Sequence, residues 1–118
     1  MIIKVNIDKV NFQPAVGRRI AELASAKATG ATGITCRLVE IYPEEHGGAR
    51  RPHVHENFEE VIFVLKGEGK AWVDNKEIEI KTGDLIVIPT KALHRIINPG
   101  NDDLRLLCFF PAADVEIP

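Results

Sequence analysis

Short apolar segments, each ended by glycine, proline, asparagine or aspartate, recur from Ile34 to the end of the chain. Short strands separated by such turn residues are typical of an all-β sandwich or barrel. Residues 61–65 (VIFVL) and 85–88 (LIVI) are apolar at consecutive positions, which predicts strands covered on both faces. Residues 76–81 (KEIEIK) alternate and should have one face in solvent. The predicted strands cover residues 34–42, 53–55, 59–66, 70–74, 77–81, 85–89, 94–98 and 104–110.

Residues 1–33 are harder to assign from the pattern alone. Residues 2–7 are β-prone, and Ile20, Leu23 and Ala24 recur at i, i+3 and i+4, which predicts a short helix, although an extended edge strand also fits. Residues 28–33 (ATGATG) have the composition of a turn. We therefore predict one domain in which an N-terminal arm, residues 1–33, precedes a β-barrel, residues 34–118. Within the barrel, the Asp74-Asn75 pair predicts a two-residue hairpin.

The charge distribution argues against a nucleic-acid partner. The formal net charge is −2 and the basic residues are dispersed, so no patch suited to a polyanion is visible. The doublets Arg18-Arg19 and Arg50-Arg51 are predicted to be solvated. No apolar run has the length of a membrane span and the N-terminus lacks the apolar core of a signal peptide, which predicts a cytoplasmic protein without membrane contact.

The two cysteines, Cys36 and Cys108, lie in apolar segments. In a cytoplasmic protein they are predicted to be reduced, and we expect both to be core residues. A disulfide between them stays open at this stage, because the pattern does not give their separation.

Three histidines and a carboxylate have the spacing of a metal site. His53 and His55 are two residues apart on a predicted strand, so their side chains point to the same face. Glu59 and Glu60 follow at the start of the next strand, so either could bring a carboxylate to the histidines, and His94 opens a later strand. Nitrogen and oxygen donors together suit Fe, Mn, Co, Ni, Cu or Zn. A His-x-His pair alone is weak evidence, since such histidines are often merely exposed.

The spacing around these residues resembles that of the cupin superfamily. The first cupin motif matches at each of its positions. The second motif follows it along the chain, as it does in the family, and matches at its glycine, proline, histidine and asparagine. The resemblance implies a jelly-roll barrel (double-stranded β-helix) and a metal held by His53, His55, Glu60 and His94, with Glu59 facing outward. The matching positions are Gly47, His53, His55, Glu60 and Gly67 for the first motif, and Gly83, Pro89, His94 and Asn98 for the second.

One position departs from the family pattern. Cupins usually have a glycine two residues after the proline of the second motif, and this chain has Lys91. A non-glycine residue in a left-handed conformation costs about 1–2 kcal/mol. We therefore expect a slightly altered turn at Lys91.

The resemblance implies a metal site more firmly than a reaction. We place a metal-dependent dioxygenase acting on a small organic molecule in the barrel first, and a metal-dependent isomerase or lyase second. A non-catalytic module that binds a metal or a small ligand is the alternative from another class. A metal-free sugar epimerase, as found elsewhere in the superfamily, is disfavoured because the ligand set is complete. The metal identity and the substrate stay open.

The remaining predictions concern assembly and single side chains. We expect a homodimer in which the strand at residues 2–7 pairs with a partner copy. His46 is expected at the surface, with a role beside the metal ligands or in proton transfer as the minority alternative. Arg37 and Arg105 are expected to face outward, with contact to an anionic substrate as the minority alternative. Tyr42, Phe58 and Trp72 are expected in the core or an interface, although they could line a pocket.

Overall fold

A computed structural model describes all 118 residues and contains two antiparallel sheets. The larger sheet has the strand order β1-β2-β3-β9-β4-β7, and the smaller has the order β6-β5-β8. Strands make up 44% of the residues and helices 8%, so the all-β prediction is confirmed. The strands are β1 (Gln13–Ala15), β2 (Arg18–Ala24), β3 (Thr35–Ile41), β4 (Glu60–Lys66), β5 (Glu68–Val73), β6 (Lys76–Lys81), β7 (Leu85–Ile88), β8 (His94–Ile97) and β9 (Leu104–Phe110).

The predicted arm contributes two strands to the larger sheet. Residues 18–24 form β2, so the helix predicted there is wrong and the extended alternative is right, although β2 is not an edge. Its register against β3 shifts between Glu22 and Ala24, and such a bulge produces an apolar spacing that imitates a helical one. The only α-helix is α1 (Ala26–Thr29), capped by the Ser25 hydroxyl. Residues 2–6 form no strand, and a 3₁₀ turn follows at Ile7–Lys9.

The core lies between the two sheets. It contains fifteen buried apolar residues, and the strands that supply most of them alternate in burial along their length. Val64, Leu104 and Leu106 are each at most 1% exposed. Non-local strand pairs therefore enclose one interior, and that interior also contains the side chains of the candidate site. No helix in the structure has the length and apolar character required to cross a membrane.

The prediction that strand β7 is covered on both faces is wrong. Ile88 is 2% exposed, but Leu85 is 56% and Val87 is 52% exposed. Both residues face away from the core, and β7 is the last strand of the larger sheet. An apolar outer face at a sheet edge is therefore open in the single chain.

Two turns carry non-glycine residues in the left-handed region. Asp74 and Asn75 have φ values of 46° and 67° and join β5 to β6, which confirms the predicted two-residue hairpin. Lys91 has φ 67°, so the altered turn expected there is not observed. The turn is retained because the Lys91 N–H donates to the carbonyl of His55 at 2.8 Å.

Replacing Lys91 by glycine should stabilise the protein. Relief of the left-handed strain is worth about 1–2 kcal/mol, and the extra freedom of glycine in the unfolded chain offsets roughly 0.5–1 kcal/mol of it. The Lys91 side chain is exposed, so little contact is lost. Thermal unfolding should show a melting temperature higher by a few degrees. Thr90→Gly is the matched control and should lower it, because Thr90 has no positive φ; equal shifts in both variants would contradict the strain.

Candidate metal centre

Backbone hydrogen bonds hold the His53–His55 segment against β8. The N–H groups of His53 and His94 each donate to the carbonyl of the other residue at 2.9 Å. The turn at Lys91 holds His55 in the same way at 2.8 Å. The predicted strand over 53–55 is thus reduced to one bridge, yet that bridge places His53 directly opposite His94.

Glu60 enters the interior as the first residue of β4. It pairs with Ile88 of β7 in the larger sheet and is 5% exposed. Glu59, its neighbour, is exposed. Successive strand residues point to opposite faces, which is why only one of these adjacent carboxylates reaches the interior.

The four predicted ligands lie together. One donor atom from each of His53, His55, Glu60 and His94 lies within 4.8 Å of the others. Bonds of about 2.0–2.2 Å from a metal to nitrogen or oxygen place opposite ligands at most about 4.4 Å apart. An inward movement of a few tenths of an ångström would therefore close this group around an ion. The structure contains a His/Glu group that could hold a metal; that these residues bind one stays a prediction.

The proton on His94 is fixed by its neighbour. His94 Nδ1 lies 2.9 Å from the carbonyl oxygen of Ala92, which can only accept, so Nδ1 carries the proton. The lone pair of Nε2 then faces Glu60 Oε1 at 3.1 Å. This contact is favourable when a proton or a cation lies between the two atoms. This arrangement fits a bound cation, and the bond to Ala92 is the outer contact that commonly orients a ligating histidine.

Two further imidazole nitrogens in the group are buried without a hydrogen-bond partner. They are His53 Nδ1 and His55 Nε2. The latter is 3.3 Å from Glu60 Oε1 without hydrogen-bond geometry. A buried polar atom left unpaired is unfavourable by about 1–3 kcal/mol. A metal ion beside Glu60 would satisfy His55 Nε2, so the residues present fit such an ion.

Burial and neighbouring cations shift the pKa values of the group. Burial, with Arg50 as the next cause, lowers the pKa of His53 to about 3. Burial alone would raise the pKa of Glu60, but its contacts with His55 and His94 outweigh that and lower it to about 2. At neutral pH the site therefore offers a neutral imidazole at His53 and an ionised carboxylate at Glu60, the protonation states that metal binding needs.

The metal-free protein should lose stability as the pH falls below about 6.5, the ordinary pKa of an unfolded histidine. Between there and a pH of about 3 the unfolded chain binds a proton at His53 that the folded protein does not. The free energy of unfolding therefore decreases with falling pH. Below pH 4.5 the unfolded chain also binds a proton at Glu60 that the folded protein does not, so the free energy of unfolding decreases further. Urea unfolding at pH 7.5, 6 and 5 measures the slope, and His53→Gln should flatten it; an unchanged slope in that variant would contradict the assignment.

The group opens into a small cavity with a cationic side. The cavity volume is about 40 Å³, or roughly three water positions at 10–15 Å³ each. Arg18 and Arg37 are 3% and 4% exposed, and Arg50 contributes a buried Nε. Arg37 pairs with Glu22 at 2.9 Å, whereas no Asp or Glu side chain lies within ion-pair distance of Arg18 or Arg50. Arg18 donates instead to an oxygen of Pro118 at 3.2 Å. The apolar wall includes Ile20, Val39, Ile41, Ile62, Ile96, Leu106 and Phe110.

The sequence prediction missed this cationic side. Arg18, Arg37 and Arg50 were expected at the surface, and all three line the cavity. The sequence does contain a pattern that could have placed two of them inside. Arg18 lies two positions before Ile20, and Arg37 lies two positions before Val39, so on a strand each arginine shares a face with a core residue. The pattern at Arg18 was not recognised because its segment was predicted to be a helix.

The other polar predictions hold. His46 is exposed, in a 3₁₀ turn at Glu44–His46. Arg105 is partly exposed and pairs with Glu40 at 3.2 Å on the face opposite the cavity.

Both cysteines are free; Cys108 is buried as expected, whereas Cys36 is only partly buried.

Tyr42, Phe58 and Trp72, the three aromatic residues predicted to lie in the core or an interface, are all partly buried. Of the three, Phe58 contacts the site, with its ring stacked on His55 at 5.2 Å between centroids.

Comparison with known families matches the description "Cupin domain" to residues 37–110. The chain belongs to the cupin family, and the resemblance noted in the sequence is confirmed. It is 45% identical over 109 residues to "Uncharacterized protein MJ1618" of Methanocaldococcus jannaschii, covering 91% of this chain and 84% of that one. It is 38% identical over 91 residues to an "Oxalate-binding protein" of Thermotoga maritima, covering 77% and 75%.

A solved structure shares the fold. It is described as a predicted oxalate decarboxylase from Thermotoga maritima, and it superposes with a TM-score of 0.81 at 24% identity. The match covers 93% of this chain and 99% of that one. At this identity the likeness establishes the jelly-roll barrel and nothing about the reaction.

Proposed function

We propose that the protein is a metal-dependent enzyme that acts on a small organic anion inside the barrel, with dioxygenase-type chemistry as the leading reaction. The observation that carries the proposal is the group of three histidines and Glu60, two of them buried and two partly buried, which opens into a cavity lined by three arginines. A divalent transition metal held there would act as a Lewis acid with one or two positions left for substrate.

Each part of the chain has a defined task in this proposal. Glu60 supplies the negative charge of the ligand set, and Ala92 orients His94 so that its Nε2 faces the ion. Arg50, beside His53, attracts the acid group of the substrate to the cavity. Phe58 and Phe110 pack on His55 and limit water on that side.

Elemental analysis and oxygen consumption test the proposal. Protein prepared without added metal should contain about one transition-metal ion per chain, and the metal that predominates should be used for reconstitution. The reconstituted protein should consume dioxygen with at least one member of a panel of small organic acids that includes oxalate. The His53→Ala, His55→Ala double variant should consume none. A metal-free protein that cannot be loaded would contradict the proposal.

A non-catalytic binding module is the second candidate. It is favoured by the 38% identical relative whose printed name is "Oxalate-binding protein". In that case calorimetry of the metal-loaded protein should show tight oxalate binding, with no product and no dioxygen uptake. Isomerase or lyase chemistry would instead give a new product from a panel member without dioxygen uptake.

We also propose that the protein forms a homodimer. The N-terminal arm is apolar and exposed, since Ile2, Ile3 and Val5 are 95%, 53% and 45% exposed. The outer face of β7, at Leu85 and Val87, is a second exposed apolar surface. A second copy supplies an apolar arm for this apolar edge, and exposed sheet edges are commonly covered in this way.

Light scattering should therefore give twice the chain mass, and deletion of residues 1–7 should reduce it to the monomer. A monomer at high micromolar concentration, or a dimer unaffected by the deletion, would contradict the arrangement.

A further inference from the structure

Two openings of opposite charge reach the candidate metal group. The first, a space of about 440 Å³ here called the vestibule, is lined by His53 and by arginines that include Arg50 and the exposed Arg51. No Asp or Glu side chain lines the vestibule. The second, of about 330 Å³ and here called the acidic groove, is lined by His55 and by no Lys or Arg. Its carboxylates are those of Glu56, Asp114 and Glu116.

The three carboxylates of the acidic groove have no cationic partner. All three side chains are exposed, and none forms an ion pair within the chain. Glu56 lies in the loop before β4, whereas Asp114 and Glu116 belong to the tail, residues 111–118, where they flank Val115. Because Val115 is buried in the core, this part of the tail is held in place. Like charges brought together in this way repel one another, and a cation in the groove relieves that repulsion.

A buried side chain without a hydrogen-bond partner lies at the inner end of the acidic groove. The His55 side chain is 10% exposed, and its Nε2 atom has no hydrogen-bond partner. His55 lines both the groove and the inner cavity, and it is the one residue of the four predicted ligands that does so. A cation attracted to the groove therefore meets an imidazole that can bind it.

The groove and the inner cavity differ in how much water they can hold around an ion. A divalent ion with about six waters needs roughly 60–90 Å³, at 10–15 Å³ for each water. The acidic groove, at about 330 Å³, exceeds this size, whereas the inner cavity, at about 40 Å³, is too small for it. An ion must therefore exchange part of its water for protein atoms before it reaches the inner cavity. Carboxylate oxygens at the opening are suited to begin that exchange.

We propose that the acidic groove is the entrance for the metal ion. Its three carboxylates capture a hydrated divalent transition-metal ion, and His55 passes that ion to the inner site. This inference rests on the proposed function, because it needs an inner site that holds the ion. The arginines of the vestibule repel cations and attract anions, so the metal ion and an anionic substrate use separate openings.

Stopped-flow mixing of the metal-free protein with Co²⁺, followed by visible absorption, measures the rate of entry. The groove variant Glu56→Gln, Asp114→Asn, Glu116→Gln should load about tenfold more slowly at low salt, within the range by which charged clefts raise association rates. Release to a chelator should slow by a similar factor, so the dissociation constant should change much less than either rate. The reason is that these carboxylates contact the ion on its way and not in the final site. The control variant Glu45→Gln, Glu68→Gln, Glu79→Gln removes the same charge from exposed positions outside the groove and should load at the unmodified rate.

Salt and the vestibule distinguish this entrance from the other opening. Raising the ionic strength from about 0.01 M to about 0.15 M shortens the Debye length from about 30 Å to about 8 Å. It should slow loading of the unmodified protein and have little effect on the groove variant. Arg51→Gln should not change the rate, whereas it would accelerate an ion that entered through the vestibule. An unchanged rate in the groove variant, equal slowing in the control variant, faster loading in Arg51→Gln, or a loss of affinity with faster release would overturn the entrance.

Paramagnetic broadening of amide signals by Mn²⁺ separates this inference from the proposed function. In the His53→Ala, His55→Ala double variant, Mn²⁺ should broaden the signals of the three groove positions more than those of the three control positions. Such broadening, in a protein whose unmodified form takes up no metal, supports cation capture by the groove and contradicts the metal-dependent function. Full loading of the unmodified protein without preferential broadening at the groove does the reverse.

Discussion

Replacing His53 and His55 together by alanine should give a β-rich protein that binds no metal. The double variant removes two of the four donors that lie within 4.8 Å of one another. The bridge between His53 and His94 is made by backbone atoms and should survive. Removing the unpaired nitrogens His53 Nδ1 and His55 Nε2 from the interior also removes an unfavourable feature of the metal-free state.

Metal content after purification and circular dichroism measure the two parts of this expectation. Occupancy should fall from about one ion per chain to background, with the strand signal retained. His46→Ala is the matched control, because His46 is the remaining histidine and lies exposed outside the group; it should keep full occupancy. Full occupancy in the double variant would refute the ligand assignment.

Glu60→Gln should release metal readily, whereas Glu59→Gln should behave like the unmodified protein. Glutamine keeps the shape of the side chain but removes the charge that offsets part of the charge of the ion. The pKa of Glu60 is lowered to about 2, mainly by contacts with His55 and His94 that outweigh burial, so this carboxylate is ionised at neutral pH. Glu59 is exposed and lies on the other face of β4.

A chelator competition measures metal affinity in both variants. We expect a loss of at least about tenfold for Glu60→Gln, the range seen when contacts around a metal site are removed. The metal-free form of Glu60→Gln should melt at nearly the unmodified temperature, since glutamine keeps the shape and packing of the side chain. Loss of metal in Glu59→Gln and retention in Glu60→Gln would mean that the register of β4 is wrong by one residue.

Most strands were predictable because their ends are chemically marked. Strands β3 to β9 lie within two residues of their predicted bounds, and Asp74-Asn75 forms the predicted hairpin. Turn residues act locally, so their effect is visible in the sequence. The histidines and Glu60 were likewise predictable, because their spacing matches the two cupin motifs. Strand alternation alone did not choose between Glu59 and Glu60.

The errors share a different cause, which is non-local pairing. The spacing of Ile20, Leu23 and Ala24 is locally helical, but pairing with β3 makes it a strand with a bulge. The outer face of β7 is apolar and was therefore predicted to be covered, although no other part of the chain covers it. Arg18 and Arg50 acquire their position only when the sheets and the tail come together. No single segment contains that information.

The backbone bridge between His53 and His94 also affects the order of events during folding. It joins segments separated by the whole of β4 to β7, so the metal group forms only after that long loop has closed, and loop closure of this kind is slow. The apolar core can assemble without it. An ion should therefore be captured late, by a chain that is already compact, and should slow unfolding far more than it accelerates folding.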